Sequence, residues 1–334
     1  MIAALHLSRF GIALAVCAAV VSGPSAAEDR IPIILDTDIG DDIDDTWALI
    51  LALKSPKLDV RMVATDFGNG IYRARLTAKI LEACGRTDIP VAVGLNPEDR
   101  PGRQSDWLGD YQLDDYPGIV HMDGVGAIID TIKNSSKPIT LLCIGPVPNI
   151  AAALERDPSI VTNARFIGMH GSIRTGYDES PTPSAEWNVF SDPSALRKVF
   201  AADWDCTITP LDTCGLIKLS GERYQRLLEA NDAFATVLIE NYRSWLPHAA
   251  YLNPRPNPRI ESSTLFDTLA VYLAFDDSLV EIERLPIRVT DQGRTVVDAT
   301  AGRLVNCATS WKDSESFHNY LADTLAGRRV LRVE

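Results

Sequence analysis

Six carboxylates fall within ten residues in the run Asp36-Thr37-Asp38-Ile39-Gly40-Asp41-Asp42-Ile43-Asp44-Asp45. Carboxylates this close repel one another strongly when all are ionised. Three arrangements relieve the repulsion. The run can be a solvated loop; some of its acids can sit at the N-terminus of a following helix, where negative charge is favourable; or a hard cation can neutralise it, its oxygen donors suiting Ca²⁺ or Mg²⁺. The spacing is not that of an EF-hand loop, because Gly40 stands at the fifth position and Trp47 at the twelfth. An Asp-x-Asp at a strand end also suits phosphatases of the haloacid dehalogenase type, which use an aspartyl nucleophile with Mg²⁺. Those want Thr or Val at the place held here by Gly40.

The apolar run 31–35 just before the acids has the length of a strand, and 46–54 after them reads as a helix closed by Ser55-Pro56. The same rhythm continues. Strand-like runs at 58–65, 89–93, 139–144, 164–168 and 206–211 alternate with helical patterns at 73–84, 125–133, 149–156 and 193–201. Alternation of this kind predicts an α/β fold with an open, mostly parallel sheet and helices on both faces. In such sheets ligands bind beyond the carboxyl ends of the strands, where the acid run falls. Beyond that, 227–242 reads as one helix, 247–258 as a Pro-rich loop, 265–275 and 316–326 as helices, and 287–289 with 295–297 as a hairpin.

The 334 residues are 46% hydrophobic and 23% charged, enough apolar material for a large buried core. Lys and Arg number 32 against 45 Asp and Glu, for a net charge of −13. An acidic chain without a basic cluster is a poor ligand for nucleic acid or an anionic membrane surface. Residues 1–27 read as a secretory signal: Arg9, an apolar run at 10–21 too short to span a bilayer, then Ser25-Ala26-Ala27. The expectation is export, to a periplasm or beyond, leaving a single domain at 28–334. Cys17 leaves with the signal. Cys84, Cys143, Cys206, Cys214 and Cys307 remain, an odd number with no zinc-site spacing, and a Cys206–Cys214 bridge stays open.

The stretch Ile33-Ile34-Leu35-Asp36-Thr37-Asp38-Ile39-Gly40 with Asp44-Asp45-Thr46-Trp47-Ala48-Leu49 resembles the signature of the inosine–uridine-type nucleoside hydrolases. Further family-like stretches follow in order: Gly68-Asn69, Gly145-Pro146-Val147-Pro148-Asn149-Ile150-Ala151, Met169-His170-Gly171, Ala185-Glu186-Trp187-Asn188 and Leu265-Phe266-Asp267. Together they cover about residues 31–325. The resemblance implies a Rossmann-like sheet and Ca²⁺-dependent hydrolysis of a nucleoside's N-glycosidic bond, releasing base and ribose.

It also implies roles. Asp38 would be metal ligand and general base. Asp45, Asp267 and the Pro148 carbonyl would complete the metal site, and Asp44, Asn69, Glu186 and Asn188 would bind ribose. The simplest family signature has one residue between the glycine and the paired acids. Here Asp41, Asp42 and Ile43 intervene. Taking Asp44-Asp45 as the pair lets 46–49 fit the next helix, whereas Asp41-Asp42 would keep the short spacing and lose that fit.

Three positions depart from the pattern. Pro148 replaces a usual Thr but keeps its carbonyl. Ser180 replaces an Asn. Phe266 replaces a His that helps protonate the departing base, so it would be an apolar wall instead. His248 and Tyr251 are candidates to supply that proton, and Trp187 and Trp245 to stack on a base. His170 and His121 follow strand-like segments and could face a pocket. A homo-oligomer, dimer or tetramer, is compatible with the family. The alternative function is a ribose- and Ca²⁺-binding homologue with impaired catalysis.

Overall fold

A computed structural model describes residues 30–96 and 98–328. The segment 1–27 read as a secretory signal lies outside them. Ten strands form one sheet: β1 (Ile31–Thr37), β2 (Leu58–Thr65), β3 (Val91–Val93), β4 (Val120–His121), β5 (Ile139–Cys143), β6 (Ala164–Gly168), β7 (Cys206–Ile208), β8 (Val280–Val289), β9 (Thr295–Val297) and β10 (Arg303–Trp311). Their order is β4-β3-β2-β1-β5-β6-β7-β10-β8-β9. The first seven pair in parallel, as the alternating pattern predicts. β10 continues the parallel pairing against β7, and the antiparallel pairs are β10 with β8 and β8 with β9.

The first strand lies inside the sheet, paired with β2 on one side and β5 on the other. The strand order reverses there, so the loops after β1 and β5 diverge and leave a crevice at their carboxyl ends. The acid run follows β1, and Pro148 opens the helix after β5. Along β1, Ile33 and Leu35 pack into one core and Ile34 into the other. That unbroken apolar run, from Ile31 to Leu35, is what a sheet covered on both faces requires. One core holds the helices Asp44–Lys54, Gly70–Ala83, Ala233–Trp245, Thr268–Leu273 and Ser314–Leu325; the other holds Gly124–Asn134, Pro148–Arg156 and Pro193–Ala201. Among the described residues no helix is long and apolar enough to cross a membrane.

Several local expectations change. The helix expected at 227–242 is two helices, Gly221–Leu228 and Ala233–Trp245, the second opened by Asp232 accepting from the Ala235 N–H. The helix expected from 265 begins at Thr268, leaving Phe266 and Asp267 on the turn before it. The strand expected at 206–211 stops at Ile208 and gives way to a short helix, Leu211–Cys214. Residues 303–311, not read as a strand, form β10 between β7 and β8. No Cys206–Cys214 bridge exists: the five described cysteines are all buried and free.

Candidate active site

The helix after the acid run starts at Asp44, two residues earlier than its apolar pattern suggests. Asp44 and Asp45 therefore occupy its first turn, where the backbone dipole favours negative charge. Asp267 stands at the corresponding place before the helix Thr268–Leu273. The two helix starts converge: carboxylate oxygens of Asp44, Asp45 and Asp267 lie within 4.8 Å of one another. Asp38, in the loop directly after β1, adds a fourth carboxylate. All four side chains are buried, at 5% exposure for Asp38, 4% for Asp44 and 3% for Asp45 and Asp267.

Backbone contacts hold the loop in shape. Gly40 takes a φ of +102°, and a Cβ there would meet the Tyr72 ring at 2.6 Å. Its carbonyl accepts from the Tyr72 hydroxyl at 3.2 Å and the Arg103 N–H at 3.1 Å. The Trp245 indole N–H donates to the Asp41 carbonyl at 2.9 Å. Thr37 accepts from the Ile39 N–H at 3.1 Å and donates to Asp45. Gly145, after β5, must lack a side chain: a Cβ would stand 2.7 Å from Asp66 Oδ1 and 2.8 Å from Asp38 Oδ1.

Burial raises every carboxyl in the cluster, and mutual repulsion raises them further. Asp44, Asp45 and Asp267 are held well above the ordinary range, and Asp38 is pushed up to about 6. The buried cation beside them is Arg73, at 5% exposure. Its hydrogen bonds go to the backbone carbonyls of Asp38, Ile39 (2.9 Å) and Phe67 (3.0 Å), not to a carboxylate. One guanidinium does not balance four carboxylates. The donor set is all hard oxygen, buried and short of positive charge, so it fits a divalent cation of the Ca²⁺ or Mg²⁺ type.

A stability test follows from the same shifts. The unfolded chain releases these protons near pH 4, whereas folded Asp38 holds its proton to about 6, and Asp36 and Glu186 theirs to about 7. Folding thus takes up protons, and the contribution to stability present below pH 4 is lost as pH rises through 6–7. In chelator the melting midpoint is expected to drop by several degrees from pH 5 to pH 8. Millimolar Ca²⁺ should remove most of that drop by favouring the ionised cluster. A flat or rising midpoint in chelator would mean that charge within the chain already balances the cluster.

Of the two candidate pairs, Asp44-Asp45 is the one gathered with Asp267. Asp41 turns to the rim and pairs with Arg103 at 3.3 Å, and Asp42 lies beside Tyr251. Glu186 and Asn188 are both buried. Glu186 caps the short helix Trp187–Ser191, accepting from the N–H groups of Asn188 (2.7 Å), Val189 (3.2 Å) and Gly171 (2.9 Å). Burial pushes its carboxyl up to about 7. Asn188 Nδ2 donates to the carbonyls of Ile144 (2.9 Å) and Met169 (3.0 Å), which leaves Oδ1 to face a ligand. Asn69, by contrast, has its amide engaged by the backbone of Arg100.

The remaining candidates separate clearly. Phe266 is half-buried next to Asp267. Trp187 is 49% exposed at the surface, whereas Trp245 is fully buried beneath the acid loop and cannot stack on a base. His248 pairs with Asp106 at 2.8 Å on the exposed rim. His170 is wholly buried against Phe166, Nε2 facing the Gly145 carbonyl at 3.1 Å, and burial pushes its pKa down to about 3. It is a neutral structural ring. His121 closes the short edge strand β4.

Sequence reasoning gave no role to Arg73, Asp66 or Arg103. Asp66 ends up buried beside Asp36; burial raises both carboxyls, and the Asp36 charge raises Asp66 further. Asn149 was noticed only as part of its motif. Its amide bonds Asp36 Oδ1 (2.8 Å), the Thr65 carbonyl (3.0 Å) and the Leu95 N–H (2.9 Å), fastening the ends of three strands. Its Asn-Ile-Ala context after a strand was the available signal.

Comparison with known proteins agrees with this geometry. Residues 33–321 match the family model of the inosine–uridine preferring nucleoside hydrolases. A non-specific ribonucleoside hydrolase, RihC, of Klebsiella pneumoniae is 31% identical over 316 residues, covering 89% of this chain and 99% of the relative. A probable uridine nucleosidase of Arabidopsis thaliana is 30% identical over 64% of this chain and 70% of its own length. Among solved structures, a plant nucleoside hydrolase superposes with a TM-score of 0.72 at 24% identity, covering 89% of this chain and 99% of that one. A purine-preferring ribonucleoside hydrolase from Gardnerella vaginalis gives 0.71 at 23% identity, covering 89% and 98%.

Proposed function

From the premise that this chain belongs to the inosine–uridine preferring nucleoside hydrolase family and is a ribonucleoside hydrolase, we propose a Ca²⁺-dependent reaction that releases free base and ribose, with Asp38, Asp45, Asp267 and the Pro148 carbonyl as the metal ligands. The observation that carries this reading is the buried, charge-deficient set of carboxylates where the strand order reverses.

When bound, the ion supplies chelation of a vicinal diol and Lewis-acid activation of water. Asp38 takes the proton of the attacking water as general base. Asp44 accepts a ribose hydroxyl and fixes the ring. As the glycosidic bond breaks, the sugar acquires oxocarbenium character. Glu186 and the Asn188 amide oxygen then present negative charge and a dipole to the growing positive charge, and the burial of both side chains strengthens the effect. Phe266 walls the side where the base departs.

The deciding experiment is a panel of purine and pyrimidine ribonucleosides with their 2′-deoxy counterparts, assayed in chelator and after addition of Ca²⁺ or Mg²⁺. Release of base and ribose is expected from the ribonucleosides only, abolished by chelator and restored best by Ca²⁺. Turnover indifferent to chelator, or equal on 2′-deoxynucleosides, would remove the metal–diol role. Hydrolysis of phosphate esters with no nucleoside cleavage would favour the phosphatase reading.

A further inference from the structure

Tyr177 belongs to none of the motifs above, yet the loop that carries it is built to hold it in place. The Gly176 N–H donates to the Ser180 carbonyl at 2.8 Å and the Tyr177 N–H to Ser184 Oγ at 3.2 Å. The Ser184 N–H is tied in turn to Ser172 Oγ at 2.9 Å. Asp178 and Glu179 both adopt left-handed backbone, with φ of 53° and 59°. Two consecutive residues with side chains rarely take that conformation, and such strain gathers at functional sites.

The tight turn delivers a phenol to the site. The Tyr177 ring packs edge-on against Phe266, with centroids 5.9 Å apart at 82°. Its hydroxyl oxygen accepts the Trp187 N–H at 2.9 Å. The next two N–H groups of that helix are taken by Glu186, so the phenol oxygen sits beside the Glu186 cap. Among the described residues, no acceptor for the hydroxyl proton is found. Burial, with the Glu186 and Asp44 carboxylates nearby, keeps that proton in place.

A phenol with a proton to donate, beside the Glu186 carboxyl, is matched to a ligand group that can bond both at one atom. That group is a hydroxyl. With the 2′ and 3′ hydroxyls of ribose at the acid cluster, the hydroxyl left over is the 5′ one. We propose that Tyr177 is the residue that reads the 5′-hydroxyl in this chain, donating a hydrogen bond to that oxygen of the bound ribonucleoside. Tyr177 is a specificity-determining residue, and its role rests on the nucleoside-hydrolase reading above.

The test compares wild type and Tyr177→Phe on uridine and 5′-deoxyuridine with Ca²⁺ present, alongside calorimetric binding of ribose and 5-deoxyribose. Wild type should favour uridine by about 10-fold or more in kcat/KM, of the order expected for one buried hydrogen bond and its neighbouring charge. Tyr177→Phe should lose about 10-fold on uridine, mostly through KM, and change 5′-deoxyuridine by less than about 2-fold. Ribose should bind more weakly to the variant, with 5-deoxyribose unaffected. An equal loss on both substrates would reduce Tyr177 to a helix cap and overturn the proposal. So would a wild type that does not distinguish them, a result that needs no variant to fold. A wild type that cleaves no ribonucleoside would instead overturn the enzymatic reading beneath it.

Discussion

Asp38→Asn is expected to lower kcat on uridine by about 10²–10⁴-fold, the usual worth of a positioned general base. Asparagine nearly matches the shape of the carboxylate and still offers one carbonyl oxygen, but it cannot take a proton. The loop itself should survive, because its course is set by backbone bonds to Arg73, Arg103 and Tyr72 that the substitution does not touch. The midpoint in chelator should stay level or rise, since one charge of a repelling cluster is gone. Ribose binding in Ca²⁺ should persist in part. Asp38→Ala removes ligand and base together and should lose both turnover and binding. A near-normal rate in Asp38→Asn would move the base elsewhere, and Glu186, whose carboxyl burial lifts to about 7, is the nearest alternative.

The second large effect concerns the leaving group. Phe266 cannot donate a proton to a departing purine, and general acid help is worth about 10²–10⁴-fold. The wild type is therefore expected to cleave p-nitrophenyl riboside, whose leaving group needs no proton, faster than inosine by a factor in that range. Neither loop candidate escapes this expectation. Tyr251 lies beside Asp42 and under the Arg103 guanidinium, 4.6 Å above its ring, and burial holds its proton firmly, while His248 is tied to Asp106 on the rim. Phe266→His should raise inosine turnover, provided that the imidazole keeps the packing against Tyr177. Equal rates on inosine and the activated riboside would show that a proton donor is already present; Tyr251→Phe would then be the informative variant, because Tyr251 already reaches the acid loop.

What could be read from the chain, and what could not, divides along physical lines. The parallel sheet was legible because strands covered on both faces need unbroken apolar runs, as in Ile33, Ile34 and Leu35. The acid run was legible because so many carboxylates behind such a strand demand an explanation. The break between the helices Gly221–Leu228 and Ala233–Trp245 was missed because apolar residues resume soon after it at Ala233, Phe234 and Ala235, although Asn231-Asp232 marks a start. Strand β10 was missed because its polar positions alternate weakly. Arg73, Arg103 and Tyr177 were beyond reach. Each acts through polar or ring contacts with residues distant in the sequence, and hydrophobic periodicity carries no record of such contacts.

The five free thiols give the fold a further property. Cys84, Cys143, Cys206, Cys214 and Cys307 are buried, and burial pushes each thiol up, to about 12 for Cys84 and Cys307. A thiol that neither ionises nor meets solvent is inert to oxidants and to exchange. Among the described residues no covalent cross-link has to form, and none can be reduced. The domain is in this sense redox-blind. Neither a reducing nor an oxidising medium has a disulfide to break or an accessible thiol to join among these five residues.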